Sequence, residues 1–304
     1  MKHLFIINPA AGKKDSTERL LERIKALDAG VKEMAMTAGT GDARRLAERA
    51  IRENGGAPLR IYACGGDGTL NEVVNAAAGF GHVAVTNVPK GTGNDFLRIF
   101  GQGYREGFLD LPALAAGPQA AFDLMDCNGK LGIGTVCAGV DARVAADKDR
   151  YKSMPLVGGG GSYIASLVIN VLFKGICRPT KIRMGSMDFE GQTAIICACN
   201  GRYYGGGFMP VGEAMPDDGV IDFLFVPQVS RTTFFRLVGE YAKGKYKDYP
   251  ELIRDWHGDK IEFSSEEELV ACVDGEIMRD TAFTVKLSEK KVNFFWPAYL
   301  DYHV

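Results

Sequence analysis

The chain has no long uninterrupted apolar run, no apolar leader behind Met1-Lys2-His3, no internal repeat and no low-complexity tract. The first absence excludes a membrane-crossing helix. The second argues against a secretory signal and for a cytoplasmic location, since Lys2 opens a strand directly. Neither charge sign is in excess: 36 Lys and Arg face 38 Asp and Glu, a net charge of −2. Nothing in bulk therefore draws the chain to nucleic acid or to an anionic membrane. The four histidines (His3, His82, His257, His303) are dispersed, and the seven cysteines are odd in number and scattered through apolar segments. Cys197 and Cys199 share a face of one strand, but no matching His/Cys pair stands elsewhere. A structural zinc is not indicated, and the thiols read as reduced core residues of a cytosolic protein.

What is present is ordinary in bulk and unusual in three places. With 304 residues, 46% hydrophobic and 24% charged, the chain is long enough for two domains with full cores. The first unusual place is 64–75, Cys-Gly-Gly-Asp-Gly-Thr-Leu-Asn-Glu-Val-Val-Asn. An apolar strand, Leu59–Cys64, runs through Gly65-Gly66-Asp67-Gly68-Thr69 into a helix expected over Leu70–Ala78. Glycine lets the backbone approach a ligand closely, and a helix start offers unpaired N–H groups and the positive dipole end. Asp67 would be repelled by phosphate unless a cation joins them or it handles a proton. The spacing is neither GxGxxG nor GxxxxGK[ST], so dinucleotide and P-loop sites are not indicated. The second place is Pro89-Lys90-Gly91-Thr92-Gly93-Asn94-Asp95-Phe96-Leu97-Arg98, after the strand Val83–Val88. The third is Asn8-Pro9-Ala10-Ala11-Gly12, after the strand Lys2–Ile7. Three strands thus end in polar, glycine-bearing turns, and parallel sheets bind ligands at the carboxyl ends of their strands.

Strands and helices alternate to about residue 122. Helices are expected over Ser16–Ala26 and Ala43–Glu53, and Val31–Met36 is a further strand leading to Thr37 and Gly41-Asp42. This is the pattern of a parallel sheet covered by helices. Beyond Ala121 the pattern turns to short strands: Phe122–Met125, Gly129–Cys137, Lys181–Met184, Thr193–Asn200, Gly219–Val226, Lys260–Phe263, Leu269–Val273 and Ala282–Leu287. Such spacing indicates an antiparallel sandwich or barrel-like domain. Two helices interrupt it, one over Tyr163–Phe173 capped by Ser162, behind the Gly158–Gly161 run, and one from a Ser230 cap to about Lys243. The first is unusually apolar and reads as core, with a wall for acyl chains as the sharper alternative. Arg236, Lys243, Lys245 and Lys247, near Phe234 and Phe235, read as a solvated basic face, with contact to an anionic bilayer as the alternative.

Asn-Pro-x-x-Gly, Gly-Gly-Asp-Gly-Thr-x-Asn-Glu-Val and Pro-x-Gly-Thr-x-Asn-Asp-Phe, in this order, resemble the diacylglycerol-kinase catalytic family, and the soluble bacterial lipid kinases of the YegS/BmrU type in particular. Ala214–Asp222 and Val273-Asp274-Gly275-Glu276 extend the resemblance over nearly the whole chain. It implies a three-layer parallel-sheet nucleotide-binding domain (1–122, with a return at about 292–304), an antiparallel β-sandwich (123–291) and an active site in the cleft between them. It implies transfer of the γ-phosphoryl of ATP, with Mg²⁺, to a lipid hydroxyl. Diacylglycerol is the favoured acceptor, with phosphatidylglycerol and a sphingoid base open. The rivals are an NAD kinase, which shares the Gly-Gly-Asp-Gly-Thr loop, and a nucleotide-binding regulatory protein without turnover.

The resemblance also assigns residues. Gly65, Gly66, Gly68 and Thr69 would cradle phosphates. Asp67 would hold Mg²⁺ or assist the base. Asn8, Thr37, Gly91, Thr92 and Asn94 would shape the nucleotide pocket. Asn71 and Glu72 belong to the same site or simply to a dipole-favourable helix start. Asp95 lies near the headgroup or caps the following helix. Glu276 is the first choice for general base and Asp274 the second, though Asp274-Gly275 is also a plain hairpin signal. Asp218 with the carbonyls of Met215 and Val220 resembles a structural Mg²⁺ site, and the same residues spell an ordinary turn. The substrate implies transient contact with a membrane surface. A homodimer is compatible with all of this, and sequence leaves the oligomeric state open.

Overall fold

The computed structural model describes residues 1–12, 15–91, 93–151, 171 and 175–303. Thr92, Ser162, the Gly158–Gly161 run and all of the Tyr163–Phe173 segment except Val171 lie outside the described residues. Two compact units form, Met1–Leu124 with Ser288–Val304, and Met125–Leu287.

In chain order the first unit contains β1 (Lys2–Ile7), α1 (Asp15–Ala26), β2 (Val31–Met36), α2 (Asp42–Glu53), β3 (Leu59–Gly65), α3 (Asp67–Ala77), β4 (Val83–Pro89), α4 (Tyr104–Leu109), α5 (Leu111–Ala116) and β5 (Gln119–Phe122). The second contains β6 (Met125–Cys127), β7 (Lys130–Gly132), β8 (Thr135–Gly139), α6 (Val140–Tyr151), β9 (Arg178–Met184), β10 (Met187–Cys199), β11 (Ile221–Pro227), the helix Arg231–Tyr241, β12 (Arg254–Gly258), β13 (Lys260–Val273) and β14 (Glu276–Leu287). The chain then returns to the first unit as β15 (Val292–Phe295).

The first unit is built on a sheet of order β2-β1-β3-β4-β15-β5. Every pairing in it is parallel except β15 with β5. β3 and β4 are buried along their whole length, as continuous apolar strands covered on both faces should be. The returning segment is held by aromatic packing: Phe294 stacks on Phe122 at 5.3 Å between centroids, and Trp296 and Tyr302 pack nearby. Arg60 donates to the carbonyls of Ala115 (2.7 Å) and Gly117 (2.8 Å), so the end of α5 is tied to β3 by a buried cation.

The second unit is antiparallel throughout, with order β12-β11-β10-β8-β13-β14-β6-β7. β9 pairs with the opening halves of both β10 and β13, while β8 pairs with their closing halves. Each long strand therefore serves two partners. The two-residue period sorts side chains onto two cores. Ile195, Cys197, Cys199, Leu224, Val226, Val270 and Cys272 face one, packed with α6 and the helix Arg231–Tyr241. Ile196, Ala198, Phe223, Phe225, Ala271 and Val273 face the other. Ser230 caps its helix as expected, accepting from the Thr233 amide at 3.1 Å.

Several expected elements differ, among them β10 and β14, which begin at Met187 and Glu276 instead of Thr193 and Ala282. α3 begins at Asp67, not Leu70, because extended Gly66 lets its carbonyl take the Leu70 N–H at 3.2 Å. Phe122–Met125 is not one strand: β5 ends in the first sheet and β6 starts in the second. Gly129–Cys137 is divided because the amides of Ile133 and Gly134 turn to the Asp274 carboxylate instead of a strand partner. Lys260–Phe263 and Leu269–Val273 are one strand, β13, whose register to β14 shifts between Ser264 and Leu269. A β-bulge reads in sequence like a strand break, since it interrupts the alternation.

Candidate nucleotide and phosphoryl-transfer site

β1, β3 and β4 are adjacent and parallel, with Ile7 opposite Cys64 and Gly65 opposite Pro89. Their three turns therefore meet at one sheet edge. Asn8 donates from its amide to the Cys64 carbonyl (3.0 Å) and from Nδ2 to Thr69 Oγ1 (3.4 Å). Lys90 N–H donates to the Gly65 carbonyl at 3.1 Å. The Asp95 amide donates to Asp67 Oδ1 at 2.8 Å. Asn94, 1% exposed, donates from Nδ2 to the Gly65 carbonyl (3.0 Å) and to Asn87 Oδ1 (2.7 Å). Asn87 in turn donates to the Ala63 carbonyl at 2.7 Å. The loops are thus cross-linked through side chains that sequence places far apart.

The glycines divide into those that close the packing and one that leaves it open. A Cβ on Gly65 would collide with the Thr69 side chain, and one on Gly12 (φ +76°) with the Lys90 carbonyl. A Cβ on Gly66 would lie 3.3 Å from the Gly93 carbonyl, whereas Gly68 has nothing within 4 Å. Asp67, Gly68 and Thr69 form the first turn of α3, where the amides lack intrahelical acceptors and the dipole is positive. Asn94 Oδ1 is buried and has no hydrogen-bond partner among the described residues. The helix-start amides of Gly68 and Thr69 beside a buried acceptor fit a ligand that carries both phosphate and donor groups, as a nucleotide does.

The other predicted residues make the following contacts. Glu72 accepts from the amides of Gly41 (2.7 Å), Ala43 (2.9 Å) and Arg44 (3.3 Å), so it caps α2 from the neighbouring helix. It thereby holds the turn that starts at Thr37, whose amide donates to the Ile7 carbonyl at 2.9 Å. Asn71 is buried, and its side-chain and backbone oxygens accept from Asn75 at 3.1 and 2.9 Å. Asp95 stands at the head of the 3₁₀ turn Phe96–Phe100 but makes no side-chain cap; its carboxylate pairs with Arg98 at 3.0 Å. The Gly91 carbonyl accepts from Arg105 Nη2 at 2.7 Å. Lys90, Asn87 and the capping role of Glu72 escaped the sequence reading. Of these, only Lys90 left a signal, a lone cation inside a polar, glycine-rich turn.

In the second unit, Asp274 and Gly275 join β13 to β14 with φ of 46° and 93°, the two positive values of a type I′ turn. The Asp274 carboxylate accepts from the amides of Ile133 (2.7 Å), Gly134 (3.0 Å) and Thr135 (2.8 Å). Its oxygens are taken up in holding the β7–β8 link. Asp274→Ala is therefore expected to destabilise the fold by roughly 2–4 kcal/mol, since it leaves these donors unpaired. Chemical denaturation measures this, and a loss under about 0.5 kcal/mol would remove the structural role. Glu276, the first residue of β14, is half-buried and forms an ion pair with Lys130 of β7. Asp218 Oδ1 accepts the Val220 amide at 2.9 Å beside Gly219 (φ +75°), and Met215 Sδ takes a guanidinium N–H from Arg202 at 3.0 Å. No cluster of three or more His, Cys, Asp or Glu among the described residues has the arrangement of a metal centre.

A parallel α/β unit whose polar, glycine-bearing turns meet at one sheet edge, followed by an antiparallel β unit, defines the class by fold. Comparison with known proteins narrows this. The model of the diacylglycerol kinase catalytic domain matches residues 2–127, and that of the YegS C-terminal NAD kinase beta sandwich-like domain matches 134–295. The chain is 33% identical over 228 residues to a Pseudomonas aeruginosa protein named "Probable lipid kinase YegS-like", covering 71% of this chain and 70% of that one. It belongs to the YegS-like branch of the diacylglycerol-kinase family and is a lipid kinase, a phosphotransferase acting on a lipid alcohol. Membership implies use of ATP. The fold is also that of a crystal structure of a diacylglycerol kinase from Bacillus anthracis str. Sterne, with a TM-score of 0.69 at 20% identity, covering 97% of this chain and 96% of the other. A second structure from that organism gives 0.75 at 23%, covering 97% and 95%. No helix among the described residues is long and apolar enough to cross a membrane.

Proposed function

We propose that the chain transfers the γ-phosphoryl group of ATP to the free hydroxyl of diacylglycerol, giving phosphatidic acid. The observation that carries the reading is the cross-linked edge of β1, β3 and β4, where first-turn amides of α3 and the open face of Gly68 offer a phosphate cradle. The acceptor class is that of the lipid kinase family, and diacylglycerol is the acceptor for which the matching catalytic-domain family is described.

In this reading the hydroxyl oxygen of the lipid bonds to the γ-phosphorus, the bond to the ADP oxygen breaks, and the hydroxyl proton passes to Glu276. A carboxylate is a weak base toward an alcohol, so it takes the proton late, as phosphoryl transfer develops. Asp274 serves by setting the turn that presents Glu276. Gly65, Gly66, Gly68 and Thr69 bind phosphate, Asn8, Thr37, Gly91, Thr92 and Asn94 shape the nucleotide pocket, and Asp67 orders both turns and would hold the cation that neutralises the phosphates. Mg²⁺ would neutralise phosphate charge there, and a second ion would sit on Asp218 with the carbonyls of Met215 and Val220, a donor set suited to a hard cation that keeps its waters. The substrate resides in a bilayer, so a cytoplasmic enzyme of this kind visits the membrane surface.

The test is transfer from γ-labelled ATP with Mg²⁺ to a panel of lipids in mixed micelles, with NAD as control. Labelled phosphatidic acid is the expected product. Another labelled lipid would move the acceptor and leave the mechanism. Label in NADP alone, or ATP binding without any product, would end the lipid-kinase reading for this chain.

A further inference from the structure

Lys90 is an unusual residue for its place. It follows β4 directly, is 8% exposed, and is held between two loops. Nζ donates to the Asn8 carbonyl at 3.0 Å and to Thr17 Oγ1 at 2.6 Å. Both acceptors are neutral. An ammonium carries three donors, and no carboxylate among the described side chains pairs with this one. Thr17 lies in the first turn of α1, where the helix end is itself positive. Burial holds the Lys90 ammonium below its ordinary value. Taking a cation out of water beside a positive helix end and giving it no counter-charge costs stability.

The neighbours show where a counter-charge would come from. Asn8, whose carbonyl receives Lys90, reaches with its own Nδ2 to Thr69 in the first turn of α3. Lys90's backbone amide binds Gly65, and its carbonyl closes on Gly12. The residue thus touches all three loops of the cradle. We infer that Lys90 is a phosphate-contacting residue, whose ammonium is the counter-charge for the phosphate chain of the bound nucleotide and whose missing anion is supplied by the substrate. A tether between Asn8 and Thr17 would need a donor but no charge, and a neutral donor would avoid the desolvation cost. This inference rests on the nucleotide reading of the cradle and not on which lipid accepts the phosphate.

Calorimetric titration of Lys90→Met with ATP and Mg²⁺, with inorganic tripolyphosphate and with adenosine tests it, since Met keeps the apolar stem and removes only the charge. Loss of one charge-assisted contact is expected to weaken ATP and tripolyphosphate roughly 10- to 100-fold, while adenosine binding stays within about threefold. Without ligand, the variant should unfold at the same temperature as the parent or above it. Equal weakening of adenosine and ATP, or no weakening of either, would reduce Lys90 to a tether and overturn the inference. If Lys90→Met does not fold, Lys90→Arg against Lys90→Gln decides: charge retained should hold ATP affinity and charge lost should not, and equal affinities overturn it. Failure of the parent protein to bind any of the three ligands would instead bring down the nucleotide reading itself.

Discussion

Glu276→Gln is expected to leave ATP binding within about threefold of the parent and to lower lipid phosphorylation on the order of a thousandfold, the usual scale for losing a general base. The amide has the same shape as the carboxylate but cannot accept the hydroxyl proton. It also loses the ion pair with Lys130. That pair is part-exposed, so its loss should cost stability no more than about 1 kcal/mol. The position in the fold supports a clean result: Glu276 opens β14 behind a turn whose geometry is held by Asp274, not by Glu276 itself. The measurement is a pair of assays on one preparation, nucleotide titration and labelled transfer. Retained transfer would remove Glu276 as base. Joint loss of binding and transfer would make it a structural residue.

Asp67→Ala should fail differently, losing nucleotide binding by about tenfold or more along with transfer. One reason is local. The Asp67 carboxylate is the acceptor for the Asp95 amide, so it joins the first turn of α3 to the turn after β4. Removing it leaves a part-buried donor unpaired, at a cost of about 1–3 kcal/mol, and loosens the turn that carries Gly91, Thr92 and Asn94. The other reason is electrostatic: a carboxylate at a phosphate cradle is tolerated when a cation stands between it and the phosphates. Asp67→Asn separates the two. It keeps an oxygen for the Asp95 amide and removes the charge, so it should restore most of the stability lost in Asp67→Ala while leaving transfer low. If Asp67→Asn turns over at the parent rate, the residue serves only to join the loops. Thermal unfolding of both variants beside the transfer assay makes the distinction.

The legible part of this protein is local in origin. Continuous apolar strands, glycine at turns and the start of α3 after Gly66 are consequences of a few neighbouring residues, and they mark the cradle without reference to the rest of the chain. The misread elements are those in which a distant partner altered a local pattern. Gly129–Cys137 reads as one strand until the Asp274 carboxylate, some 140 residues away, takes three of its amides. The two runs of β13 read as separate strands because a bulge breaks their alternation. Asp95 has the residue type of a helix cap, but Arg98 claims its carboxylate.

Sequence by itself determined the two architectures, the three polar turns and the family to which they belong, because side-chain period and backbone conformational demand act over a few residues. Only the tertiary structure decided what each polar group touches: that Glu72 caps α2 from the neighbouring helix, that Asp274 is spent on backbone amides and leaves the carboxylate of Glu276 paired with Lys130, and that Lys90 is buried beside Asn8 and Thr17. Hydrogen bonds and ion pairs are made between groups brought together by strand register and by the packing of α2 against α3, and register and packing are properties of the whole fold.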